Sequence, residues 1–195
     1  MSLTFSTMLD LGTKAPDFAL PDIMSGRTIS LATFADKKIL LVLFISRHCP
    51  FVVHVQHGLA GLGRDYENRV GIVGICSNDA EQFKVDSPAS LSEWAREVGF
   101  TFPIGFDESQ SVAKAYTAAC TPDPFLFDEK RLLVYRGQLD DARPGNDKPV
   151  TGRDIRAALD AALAGRPVDP VQRPSAGCNI KWKPGNAPAY FGVHA

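Results

Sequence analysis

Ile39-Leu40-Leu41-Val42-Leu43-Phe44-Ile45-Ser46-Arg47-His48-Cys49-Pro50 decides the fold. The unbroken apolar run from Ile39 is too short for a membrane span, and it reads as a strand buried on both faces. Pro50 suits the first position of a following helix, where a missing N–H costs nothing, so the spacing predicts Cys49 at the N-cap. There the open amides and the helix dipole favour a thiolate. Arg47 and His48 add possible positive charge beside it.

Outward from this junction, a helix is predicted over about 51–67, and a second apolar run, Val70-Gly71-Ile72-Val73-Gly74-Ile75-Cys76, follows it. Two buried strands joined by a helix make a right-handed βαβ unit. Leu91, Trp94, Ala95 and Val98 fall at helical spacing between Pro88 and Gly99, and a further helix is expected from Ser109 to Tyr116. Phe125-Leu126-Phe127 and Leu132-Leu133-Val134-Tyr135, joined by a charged turn, read as a hairpin. Thr151 is placed as the cap of a last helix, Asp154 to Ala164, ended by Gly165 and Pro167. Upstream, Asp17–Leu20 and Thr28–Leu31 flank Ser25-Gly26-Arg27 as a first hairpin. The fold class is therefore α/β, a central mixed sheet flanked by helices. Residues 1–165 are expected to form one domain and the proline-rich 166–195 an irregular tail over it, while Met1-Ser2-Leu3 is given no structural weight.

A chain of 195 residues with 45% hydrophobic and 22% charged residues is long enough for that domain and its tail. A net charge of −1 offers no pull toward nucleic acid or an anionic membrane surface. No apolar run reaches membrane-span length and the N-terminus shows no export pattern, so a cytoplasmic protein is expected. Four widely spaced cysteines, at 49, 76, 120 and 178, do not form the framework of a small secreted domain.

The element order is that of the thioredoxin fold. Gly12-Thr13-Lys14-Ala15-Pro16-Asp17-Phe18, Phe102-Pro103 with Asp107, and Thr121-Pro122 before Phe125-Leu126-Phe127-Asp128 resemble the landmarks of the peroxiredoxin superfamily, also called AhpC/TSA or redoxin. Arg47-His48-Cys49-Pro50-Phe51 and Cys120 are most similar to its peroxiredoxin-like or thioredoxin-like group. Val52 stands where a thioredoxin has its second cysteine, so exchange through a C-x-x-C pair is excluded.

The resemblance implies further roles. Val42 and Ser46 occupy the positions of the proline and threonine that precede the peroxidatic cysteine, and Ser46 keeps a hydroxyl for the thiolate or peroxide. Arg136, on the strand after the Phe-Leu-Phe-Asp landmark, is the choice for the catalytic arginine, with Arg47 as alternative. Pro122 is implied to be a cis-proline facing Cys49. Cys178-Asn179-Ile180-Lys181-Trp182-Lys183-Pro184-Gly185 is similar to the segment around the resolving cysteine of two-cysteine peroxiredoxins, and Tyr190-Phe191 to their closing pair; a Gly-Gly-Leu-Gly stretch is absent.

The implied cycle starts with attack of the Cys49 thiolate on a peroxide, and condensation of the sulfenic acid with a second cysteine follows. Cys178, which carries the motif, and Cys120, two residues before Pro122 in the compact core, are the candidates for that second cysteine; a disulfide needs Cα atoms roughly 4.4–6.8 Å apart, so the two demand different geometries and only one need be right, the motif favouring Cys178. An external dithiol protein would reduce the product, a homodimer is implied by the family, and no metal or organic cofactor is needed. Disulfide exchange with protein disulfides and a non-catalytic redox sensor stay as competing functions. Cys76 reads as core packing. His48, His54 and His57 lack the spacing of a dedicated metal site.

Overall fold

The computed structural model describes residues 3–192. Met1 and Ser2, expected to carry no structural weight, lie outside them. Among the described residues ten strands and four α-helices follow in chain order: β1 Leu3–Phe5, β2 Ala19–Pro21, β3 Thr28–Ser30, β4 Ile39–Phe44, α1 Pro50–Asp65, β5 Val70–Cys76, α2 Pro88–Val98, β6 Ile104–Phe106, α3 Ser111–Ala115, β7 Cys120–Thr121, β8 Asp123–Phe127, β9 Leu133–Arg136, α4 Arg153–Leu163 and β10 Ala176–Asn179.

The main sheet runs β6-β5-β4-β8-β9, with β6, β5 and β4 parallel and β8 and β9 antiparallel to their neighbours. This is the thioredoxin-fold arrangement. Strand β4 sits in the middle and every residue of it is buried. Leu41 and Leu43 pack on one face with α1, α2 and α4, and Leu40, Val42 and Phe44 on the other with α3 and the N-terminal segment. Each such fully buried aliphatic or aromatic side chain contributes about 1.5–3 kcal/mol, which is why this strand fixes the register of everything else.

Local chemistry sets the helix ends. Pro50 opens α1 behind Cys49, and α2 is capped by Ser87, whose hydroxyl accepts from the Ser90 amide at 3.4 Å, and ends on Gly99 in the left-handed region (φ +78°). Thr151 is not the cap of α4. Gly152 holds that place with φ +63°, and Asp140 Oδ2 accepts the Thr151 and Gly152 amides at 2.7 and 2.6 Å.

The tail departs most from the sequence reading. β10 forms the middle of a second sheet, β1-β10-β7, with Cys178 opposite both Leu3 and Thr121. Leu3, given no structural weight from sequence, is thus part of a strand. Gly177 is required at this crossing, since a Cβ there would lie 1.9 Å from the Thr121 carbonyl oxygen. Beyond the strand, Cys178, Ile180 and Trp182 join the buried core, and the Tyr190 hydroxyl donates to the Ala113 and Ala118 carbonyls.

Candidate active site

Strand β4 delivers the chain to Cys49, and β10 delivers Cys178 to the same point. Cys49 is the N-cap residue of the 16-residue α1. It is 2% exposed, and the neutral thiol donates to the Thr121 carbonyl oxygen at 3.0 Å. Cys178 is 4% exposed. Around Cys49, Ser46, His48, Asn78, Cys178, Asn179 and Lys181 line a narrow cleft too tight to admit a water molecule.

The Cys49 thiol is lowered from 9.0 to about 6, first by the hydrogen bond from the Cys178 side chain. Burial opposes this, and hydrogen bonds from Thr121 and from the backbone at Cys178 and Val52 add to it. The carbonyl contact at Thr121 favours the thiol form, but it is one acceptor against several donors. At neutral pH Cys49 is therefore largely a thiolate, and Cys178 remains protonated because it donates to that thiolate and is itself buried.

Ser46 is held beneath this pair. Its hydroxyl donates to the Asp86 carboxylate, 3.1 Å from Oδ1 and 3.0 Å from Oδ2, and its oxygen accepts from the His48 amide at 3.1 Å and from Asn78 Nδ2 at 3.0 Å. Ser46 thus lines the cleft, but its single proton is committed to Asp86. Asp86 is fully buried and is satisfied by Ser46, by Asn78 Nδ2 at 2.8 Å and by the His48 amide at 3.3 Å. This is how a buried carboxylate is tolerated.

Neither arginine expected from the sequence lines the cleft. Arg136 Nε donates to the Leu9 carbonyl at 2.8 Å and Nη1 to Gln172 Oε1 at 2.9 Å, so it pins the N-terminal segment and the tail to β9. Arg47 turns to α2, bonding the Ser90 carbonyl at 2.7 Å and pairing with Glu93 and Glu97. The cation in the cleft is Lys181.

Between the two proposed second cysteines, the geometry is unequal. Cys120 is opposite Asn179 in the β7–β10 pairing, and its Sγ faces the Pro122 and Ser175 carbonyls at 3.7 and 3.9 Å. Burial pushes its thiol well up. The Thr121–Pro122 peptide bond is cis, as the resemblance implied. Cys76 is fully buried at the end of β5, and burial raises its thiol as well. Among the described residues no group of three or more His, Cys, Asp or Glu side chains is placed to hold a metal ion. No helix among them is long and apolar enough to cross a membrane.

Asn78, Asp86 and Lys181 are absent from the sequence-based site. A signal for Asn78 existed: Ser77-Asn78-Asp79 follows β5 at the carboxyl end of the parallel strands, where open α/β sheets place functional side chains.

Fold and thiol pair together define a thioredoxin-fold thiol oxidoreductase. The chain belongs to the AhpC/TSA family, whose model matches residues 11–136. It is 52% identical to an uncharacterized conserved protein from Geobacillus kaustophilus, covering 95% of this chain and 98% of that one, with a TM-score of 0.92 to its crystal structure. It is 26% identical over 116 residues, 60% of this chain and 69% of the other, to a Mycobacterium tuberculosis protein that carries the name peroxiredoxin provisionally. The thioredoxin domain of a thiol-disulfide oxidoreductase from Bacteroides vulgatus shares the fold at 19% identity and a TM-score of 0.55, over 69% of this chain and 90% of that one.

Proposed function

We propose that the protein is a thiol peroxidase in which Cys49 reduces a small peroxide and Cys178 of the same chain resolves the product. The placement of Cys178 beside Cys49 in one narrow cleft, opposite the Thr121 whose carbonyl meets the Cys49 sulfur, carries this reading. The Cys49 thiolate attacks one peroxide oxygen and the O–O bond breaks, giving the Cys49 sulfenic acid and, once a proton is taken up, water or an alcohol. Cys178 then forms the S–S bond to Cys49, and the sulfenic oxygen leaves as water. An external dithiol protein would return both cysteines to thiols at the cost of its own oxidation, in keeping with a reducing compartment such as the cytoplasm.

Small substrates are favoured over protein disulfides because β10 covers Cys49, leaving it 2% exposed. The test is turnover of hydrogen peroxide, and of a disulfide-bonded peptide, with dithiothreitol as reductant, for the native chain and for Cys49→Ser. Peroxide consumption that is lost in Cys49→Ser, with little peptide reduction, supports the reading. Efficient peptide reduction without peroxide turnover makes the protein a disulfide exchanger instead.

A further inference from the structure

Lys181 lies three residues beyond Cys178 and lines the same cleft. Its Nζ donates to the Asn179 carbonyl at 2.9 Å and to Asn179 Oδ1 at 2.8 Å, both neutral acceptors. No salt bridge neutralises it among the described residues, whereas Lys183, two positions on, lies 4.0 Å from Glu108. An ammonium carries three donors, so these two contacts leave one N–H unspent and the charge unneutralised beside Cys178.

The backbone of Lys181 is fixed from both sides. Its N–H donates to Asn78 Oδ1 at 2.8 Å, and its carbonyl accepts from the Asp79 amide and from Gln110 Nε2, each at 2.8 Å. Asn78 is itself held by Ser46 and Asp86. One side chain thus ties the network under Cys49 to the segment carrying Cys178 and Lys181.

Resting on the peroxidase reading above, we propose that Lys181 is the cation of the resolving step, stabilising the Cys178 thiolate as it attacks the Cys49 sulfenic acid. In the reduced protein Cys178 keeps its proton, first because it donates to the Cys49 thiolate, then through burial and the negative charge on Cys49, with Lys181 pulling the other way. Oxidation of Cys49 to the neutral sulfenic acid removes both effects of its charge. Burial is then opposed by Lys181 and, less strongly, by the N-terminal charge, so the second thiolate forms only when there is something for it to attack. Cys178 releases its proton, its sulfur displaces hydroxide from Cys49, and proton and hydroxide leave as water. His48 ahead of α1 and Asp86 beneath Ser46 also lie near the pair, and the positive charge of the chain's N-terminus adds to the pull of Lys181 on Cys178.

The test is a single turnover of the full-length reduced protein with one equivalent of hydrogen peroxide, with sulfenic acid trapped by dimedone and disulfide followed by mass spectrometry. In Lys181→Met and Lys181→Gln the disulfide should close about tenfold more slowly relative to the rate at which Cys49 is oxidised in the same variant, the effect of roughly one unit on the resolving thiol. Trapped sulfenic acid should rise accordingly, and Lys181→Arg should restore closure to within about threefold. Closure at the native rate in both neutral variants, or an arginine variant as slow as they are, overturns the role of Lys181 alone. A native protein whose Cys49 is not oxidised overturns the peroxidase reading and this inference with it.

Discussion

Cys178 stands directly opposite Thr121 in the antiparallel pairing of β10 with β7, and Thr121 presents its carbonyl oxygen to Cys49 at 3.0 Å. One backbone register therefore carries the second thiol to the first. From it follow the contact between the two thiols and the proposal that Cys178, rather than Cys120, resolves Cys49.

Alkylation of Cys49 by iodoacetamide should be half-maximal near pH 6, the value to which its surroundings lower it. Cys178→Ala removes the principal donor and should move the midpoint upward by about 1–2 units, because a hydrogen bond to a charged group is worth about 1.5–3 kcal/mol. Cys178→Ser keeps a donor and should shift it less. A midpoint unchanged in Cys178→Ala would show that the helix amides alone make the thiolate.

Gly177→Ala should uncouple the two cysteines without touching either. The added methyl would meet the Thr121 carbonyl at 1.9 Å, and backbone cannot give way there as a flexible side chain can. A stability loss of about 2 kcal/mol or more in denaturant melts is expected, together with at least a tenfold fall in Cys49–Cys178 disulfide yield after one equivalent of peroxide. Native disulfide yield in this variant would mean the β10 register does not matter.

Arg136→Ala should leave the peroxide rate of Cys49 within about threefold of native while lowering stability by about 1–2 kcal/mol, since it strips partners from Leu9 and Gln172. A loss of rate beyond a hundredfold at unchanged stability would restore the catalytic role that the sequence assigned to it.

Asp123 gives a stability signature. Burial pushes its carboxyl from 3.8 up to about 7, against the Ala119 amide, which donates to Oδ2 at 3.1 Å, and the weaker pulls of Ser6 and the Cys120 backbone. Between those two values the folded chain keeps a proton that the unfolded chain has released. Its contribution is therefore complete below about pH 4 and is lost as pH rises through about 7. Asp123→Asn should flatten this slope in urea midpoints measured from pH 4 to 7. Parallel slopes in the two proteins would place the titration elsewhere.

Much of this architecture is legible in the sequence because it is local. The apolar run of β4, Pro50 behind Cys49, and the helical spacing of Leu91, Trp94, Ala95 and Val98 each declare their element within a dozen residues. The β1-β10-β7 sheet does not, because Ala176-Gly177-Cys178-Asn179 has neither alternation nor β-branched residues and is a strand only through partners remote in sequence, Leu3–Phe5 and Cys120–Thr121. Arg136 was misplaced for a related reason: strand alternation gives a face, but not that Leu9 and Gln172 occupy it. Ser46 was found, and its role altered, because Asp86 lies forty residues away in sequence and takes its proton. The tail motif around Cys178 is legible by resemblance rather than by periodicity.

The most direct measurement is to mix reduced protein with one equivalent of hydrogen peroxide, quench between milliseconds and minutes, and map the cysteines by mass spectrometry in the native chain and in Cys120→Ser. The account expects rapid loss of Cys49 and an intramolecular Cys49–Cys178 disulfide in both proteins. A Cys49–Cys120 disulfide, abolished in Cys120→Ser, or a Cys49 that reacts no faster than a free cysteine in solution, would contradict it.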